Sequence, residues 1–236
     1  MHFHKRWILP TLAALALVGL AGGWLLFRRT LQSAPRNARV AAWFRGDPQR
    51  SGWVLPAGQR CAAAPFQMPV DGFIGYIWDD SFRPFHRHSG LDIFGLGQPG
   101  EIPVYAAADG YLTRLPDWKS SLIVRIPSDP LQPGRQIWTY YTHMASPQGE
   151  SFIDAAFPPG MSEVPVKAGT LLGRMGNFSG TPDAPVGVHL HFSVVLDDGK
   201  GKFRDERAIE NTLDPSPYFG MPLNANTNPP FPPKCP

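Results

Sequence analysis

From residue 66 onward, every apolar segment of the chain is cut short by proline or glycine. "FQMPVDGFIGYIW" (66–78), "VYAAADGYLTRL" (104–115), "SLIVRIP" (121–127), "RQIWTYYTHM" (135–144), "GTLLGRMG" (169–176) and "VHLHFSVV" (188–195) are rich in β-branched and aromatic residues. Turn formers bound each of them, which is the signature of short strands. The chain holds 27 Pro and 24 Gly in 236 residues, a composition that favours turns over long helices. After residue 27, no window of a dozen residues repeats apolar side chains at i, i+3 and i+4. The sequence therefore predicts an all-β, β-dominated antiparallel domain. "SPQGESFIDAAFPPGMSE" (146–163) reads as a long loop, and long loops often edge a site.

The N-terminus has a different texture. Residues 7–27, "WILPTLAALALVGLAGGWLLF", carry no charge over 21 residues. At about 1.5 Å per residue such a helix crosses a hydrocarbon core of about 30 Å. The run ends in "WLLFRR", a poor cleavage site, so a retained signal-anchor is expected rather than a cleaved signal. The organisation that follows is a short flank (1–6), an anchor in the cytoplasmic membrane (7–27), a linker (28–62), a domain (63–219) and a Pro/Asn-rich tail (220–236). Arg28, Arg29, Arg36, Arg39 and Arg45 outnumber Lys5 and Arg6 across the span. By the positive-inside rule alone the domain would stay inside; the chemistry below argues for the opposite side. The net charge of +3 comes without an Arg/Lys stripe interleaved with aromatics, which excludes a nucleic-acid reader. Cys61 and Cys235 bracket the expected domain, and outside the membrane they would form a disulfide.

Two motifs are decoys. "GLGQPG" (95–100) has the GxGxxG spacing, but Pro99 and Pro103 bracket it and a strand follows, so it is a turn and not a dinucleotide fingerprint. The chain has neither HExxH nor GxSxG, which removes a helical zinc-protease motif and a nucleophile elbow.

The histidines are the informative residues. His2 and His4 precede the apolar span; His86, His88, His143, His189 and His191 all lie between 86 and 191, with Asp92 beside the first two. In a strand, residues i and i+2 face one side, so His189 and His191 project together while Val188, Leu190 and Phe192 face the core. Catalytic zinc takes three protein N/O ligands and keeps a fourth position open. His88, Asp92 and one of the His189/His191 pair make such a set. The remaining imidazoles, whose pKa lies near working pH, are left to handle protons.

"HSGLD" (88–92), "YTHM" (141–144) and "VHLHF" (188–192) together resemble the three motifs of the M23 (LytM/lysostaphin-like) zinc endopeptidases. "PVYAAADGYL" (103–112), "VKAGTLLGRMGNFSG" (166–180) and "LDPSPYF" (213–219) resemble the family's connecting pieces. The resemblance covers residues 66–219. It implies a small antiparallel β-sheet or sandwich domain of the LytM-like type, with its site in a groove between loops. It implies one Zn²⁺ held by His88, Asp92 and His191, with His143 and His189 as catalytic histidines. His86 has no role in the pattern and is expected to be a solvated neighbour. The implied substrate is the peptide cross-link of bacterial peptidoglycan, and the implied location is extracytoplasmic on a single-pass anchor. A non-catalytic binding module on the same fold is the alternative; such relatives usually lack part of the metal set. A cupin also uses HxH, but in the reverse order along the chain. The sequence departs from the family at Ser193, where an acid commonly follows HLHF, and in the length of 146–163 and of the approach to residue 188.

Overall fold

The computed structural model describes residues 22–24, 27–28, 31–83 and 86–236. The expected anchor at 7–27 lies outside them except for residues 22–24 and 27. Among the described residues, no helix is long and apolar enough to cross a membrane.

Among the described residues, ten strands form the body: β1 (Phe73–Tyr76), β2 (Leu91–Phe94), β3 (Pro103–Tyr105), β4 (Gly110–Thr113), β5 (Leu122–Ile126), β6 (Ile137–Thr142), β7 (Val164–Val166), β8 (Leu171–Arg174), β9 (His189–Leu196) and β10 (Thr212–Leu213). Eight of them make one antiparallel sheet in the order β1-β2-β9-β6-β5-β4-β7, with β10 paired to β9. β3 and β8 form a second, two-stranded sheet. The β-dominated expectation therefore holds. The expected run 104–115 is two strands, because the turn at 108–110 sends β3 and β4 into different sheets.

The inner face of the large sheet supplies the core. Leu91, Ile93, Leu190, Phe192, Val194, Leu122 and Tyr141 pack with Val104 of β3 and Leu172 of β8 in one buried cluster. β9 is central and buried along seven of its eight residues. Its even-numbered residues enter the core and its odd-numbered ones face outward, the period-two alternation of a strand. Two further clusters cover the outer face. Phe73 and Phe94 are capped by Val40, Trp43 and Trp53 on one flank. Ile123, Trp138 and Val195 are capped by Trp118 and Phe203 on the other.

The segment 28–62 is not the expected linker. Residues 31–44 are helical (α1) and dock on the outer face. Ser33, Arg36, Val40 and Trp43 are its buried residues, spaced as one helical stripe. Two of the four are polar, so apolar periodicity does not reveal the helix. Arg36 and Asp80 form a buried, bidentate ion pair, with Nε–Oδ2 at 2.5 Å and Nη2–Oδ1 at 2.9 Å. Ser33 also donates its hydroxyl to Asp80.

The tail is part of the domain as well. After a short helix α2 (Ser216–Phe219), Met221, Leu223 and Ala225 are buried. Phe231 packs on Phe73 with ring centroids 5.7 Å apart. Cys235 is disulfide-bonded to Cys61 across 174 positions, as expected from the sequence.

Candidate active site

Strand register brings the site together. Asp92 of β2 lies directly across from His191 of β9, and Thr142 of β6 lies across from it on the other side. His88 comes from the loop before β2, which must approach β9 closely. A Cβ on Gly90 would sit 2.2 Å from the Phe192 carbonyl oxygen, so only glycine fits in "HSGLD". His143 follows β6 with φ of +71°, a left-handed turn uncommon for a side-chain-bearing residue. Gly176 accepts that turn: a Cβ there would fall 2.5 Å from the His143 carbonyl oxygen.

His88, Asp92 and His191 form one buried group whose ligand atoms all lie within 4.8 Å of one another. His88 Nε2 is 3.1 Å from Asp92 Oδ1 and 3.1 Å from His191 Nδ1; His191 Nδ1 is 2.9 Å from Asp92 Oδ1. Tetrahedral zinc with bonds near 2.0–2.1 Å places its ligand atoms about 3.3 Å apart, so the triangle fits the ion. The opposite ring nitrogens are held from outside. His88 Nδ1 is 3.1 Å from the Ile77 carbonyl oxygen, to which it donates when Nε2 faces a metal. His191 Nε2 is 2.9 Å from Ser193 Oγ and 3.5 Å from Glu206 Oε2. Such outer partners fix tautomer and ring orientation in metal sites.

His143 and His189 stand beside this triangle, their ring centroids 4.4 Å apart. Each uses Nδ1 on a backbone oxygen at 2.6 Å, Phe178 for His143 and Gly187 for His189. Donation from Nδ1 leaves Nε2 as the free basic nitrogen; that of His189 is 3.6 Å from Asp92 Oδ1. Burial, and then the neighbouring histidines, push His143 down to about 3. Burial lowers His189 too, against the pull of Asp92. Both imidazoles are therefore neutral at pH 7. For His191 burial again opposes charge, but its bonds to Asp92 and Glu206 outweigh it and raise its pKa to about 10 when no metal is present. Burial would raise Asp92; the surrounding histidines, His88 first, hold it well below the usual carboxylate range.

The site opens into a groove of about 750 Å³ that is also lined by Tyr140, Phe178, Ser121 and Glu206. Several solved structures resemble the chain, though no protein-family model and no curated protein matches it. One is described as a putative glycyl-glycine endopeptidase, LytM, from Ruminococcus gnavus: 26% identity over 59% of this chain and 47% of that one, TM-score 0.37. Another is the antimicrobial peptidase lysostaphin from Staphylococcus simulans: 16% identity over 70% of this chain and 55% of that one, TM-score 0.39. A third is the catalytic domain of the prophage-encoded M23 protein EnpA from Enterococcus faecalis: 17% identity over 64% of this chain and 96% of that one, TM-score 0.36. The likeness is to peptidases. The chain spans about half the length of the first two. At these TM-scores the likeness assigns no residue roles, which come from the side chains alone.

All five residues singled out from the sequence meet in this one groove. Two expectations about its surroundings fail. His86 is not simply solvated: it lines the groove, packs on Phe82 at 4.3 Å between centroids, and its Nδ1 is buried with no hydrogen-bond partner among the described residues. The 146–163 loop does not line the groove; Phe178, Ser179, Gly180, Val186 and Gly187 do. The longer loop lies behind them, accepting a bond from Asp183 N at Pro147 O over 3.0 Å. Arg114 pins it at Phe157 O and Ser151 Oγ. The sequence gives no sign of three other contributors. Val40 and Phe44 of α1 and Glu206 reach the groove from segments without a motif.

Proposed function

We propose that the chain is a zinc-dependent endopeptidase of the M23 type that hydrolyses peptide cross-links of bacterial peptidoglycan. The observation that carries the enzyme reading is the pairing of a three-ligand triangle with two neutral imidazoles in one open groove. The substrate rests on the three sequence motifs. An extracytoplasmic location, with residues 7–27 as anchor, is supported by the Cys61–Cys235 disulfide, a bond rare in reducing compartments.

His88 Nε2, Asp92 Oδ1 and His191 Nδ1 would hold the zinc. When bound, zinc supplies Lewis-acid polarisation of a water and of the scissile carbonyl. The two flanking histidines do the proton work. Neutral Nε2 of His189 or His143 accepts a proton as the water oxygen bonds to the carbonyl carbon. The imidazolium so formed returns it to the leaving nitrogen as the C–N bond breaks. Asp92, ionised and close to His189, stabilises that transient positive charge. The carbonyl oxygens of Phe178 and Gly187 fix both rings with Nδ1 protonated, so neither ring has to flip.

The test uses the full chain with purified peptidoglycan, reading zinc content and newly released amino termini. His189→Ala should keep its zinc and release none; His191→Ala should lose most of the metal. A wild-type protein without zinc, or one no more active than His189→Ala, refutes the enzyme reading and leaves the binding module.

A further inference from the structure

We infer that Glu206 is a positioning residue for the metal site: from a loop remote in sequence it supplies the acid that orients His191 and raises the basicity of its Nδ1. The inference rests on the zinc reading above and adds a member to that site.

Three observations carry it. First, the position after "HLHF" is Ser193, which is fully buried with Oγ 2.9 Å from His191 Nε2. A hydroxyl fills the place there, but it brings no charge. Second, Glu206 reaches the same nitrogen from the side, with Oε2 3.5 Å from His191 Nε2 and 3.3 Å from Ser89 Oγ. Ser89 adjoins the ligand His88, so one carboxylate touches both ligand-bearing segments. Third, Ser193 packs tightly against the ligand loop: a Cβ on the neighbouring Gly90 would lie 2.5 Å from its hydroxyl oxygen. Residue 193 supplies no carboxylate, and Glu206 brings one to His191 Nε2.

The fold explains how it arrives. β9 runs on past the site to Leu196, and the chain reverses through a bridge between Asp197 and Phe203. Phe203 then packs on Trp138 and Trp118, each 5.6 Å away between centroids. That contact seats the returning strand against the outer face. Three residues later Glu206 sits over His191. Its neighbours Asp205 and Arg207 pair with each other at the surface, Arg207 at the edge of the groove.

A carboxylate on the remote nitrogen of a ligating histidine fixes the tautomer and strengthens the ligand; losing one typically costs about 10–100-fold in metal affinity. The experiment measures zinc affinity of the full chain by competition with a chromophoric chelator. It compares wild type with Glu206→Gln, Glu206→Ala and Asp205→Asn, each shown folded by its urea midpoint. Cobalt absorption spectra of the same proteins report ligand geometry. Glu206→Gln should bind zinc about tenfold more weakly and Glu206→Ala more weakly still, both with altered cobalt bands. Asp205→Asn should match wild type. Affinity within twofold of wild type in both Glu206 variants overturns the inference and leaves the zinc reading intact. So does an equal loss in Asp205→Asn, which would make the effect one of loop charge. A wild type that binds no zinc overturns both.

Discussion

Replacing Arg36 by methionine tests whether α1 belongs to the domain or merely lies on it. Arg36 is 2% exposed and Asp80 0%. The substitution keeps the aliphatic stem and strips the cation from a buried carboxylate. Breaking a buried ion pair from one side costs about 3–5 kcal/mol, because the surviving charge has lost its compensation. Asp80 would retain the Ser33 hydroxyl and the Ser81 N–H at 2.9 Å, which places the expected loss near the lower figure, about 3 kcal/mol. Against a typical stability of about 5–15 kcal/mol that is a large share. The consequence extends to the candidate site, since the Asp80 carbonyl oxygen accepts the His88 N–H at 2.9 Å and the Asp79 N–H donates to His88 O at 2.8 Å. The assay is urea unfolding of metal-free protein with the disulfide intact. Arg36→Met should shift the midpoint downward at unchanged slope. Arg36→Met with Asp80→Asn removes both charges and should recover most of the loss. A single variant that loses under about 1 kcal/mol, or a double variant no better than the sum of the singles, refutes the reasoning. Val40 and Trp43 would then hold the helix by apolar burial alone.

Two further outcomes follow from the same contacts. Cys235→Ser opens a loop of 174 positions, and chain entropy sets the loss at up to about 5 kcal/mol; a thermal or urea midpoint equal to wild type would show that the tail holds without the bond. Zinc uptake at pH 7–8 should release about one proton, because metal-free His191 stays protonated up to a pKa of about 10 and must give up that proton to ligate. Apparent affinity should therefore rise with pH, up to about tenfold per unit below that pKa, and calorimetry in two buffers of different ionisation heat counts the protons. A pH-independent affinity between 7 and 9 would contradict the raised pKa.

The parts of the site that are legible in the sequence are those fixed by strand period. His189 and His191 share a face because they are two residues apart in an extended chain, and Asp92 joins them because β2 pairs with β9 in register. Five chemically distinctive residues in three short motifs need little else. What escapes is carried by ordinary residues at long range. α1 is hidden because its contact stripe opens with Ser33 and Arg36, which pair with a carboxylate 44 positions away from the arginine. Glu206 lies in the hydrophilic stretch "RDERAIE", indistinguishable by composition from a solvated loop. The tail, rich in Pro and Asn, conceals Leu223 and Phe231 among turn formers. The left-handed backbone at His143 has no local signal at all, since it depends on Gly176 being able to lie against it.

One face of one sheet connects these hidden parts. The His88–Asp92–His191 triangle, on the outer face at β2 and β9, is a polar strip in a surface whose flanks are aromatic. Those flanks must be covered for the domain to be stable, yet the strip must stay open for a substrate to enter. α1 covers the first flank and ends in Phe44, 53% exposed, which meets Phe94 edge-on at 5.3 Å between centroids. Phe94 in turn packs on His189 at 5.2 Å. The reversal after β9 covers the second flank and ends over His191 with Glu206. Both covers therefore stop at the rim of the groove, and each puts a residue there. The rim that a cross-linked peptide would meet is thus built largely from segments outside the three motifs. The proposed zinc chemistry traces to those motifs, whereas a substrate preference would have its physical basis in α1, the 178–187 loop and the segment around Glu206.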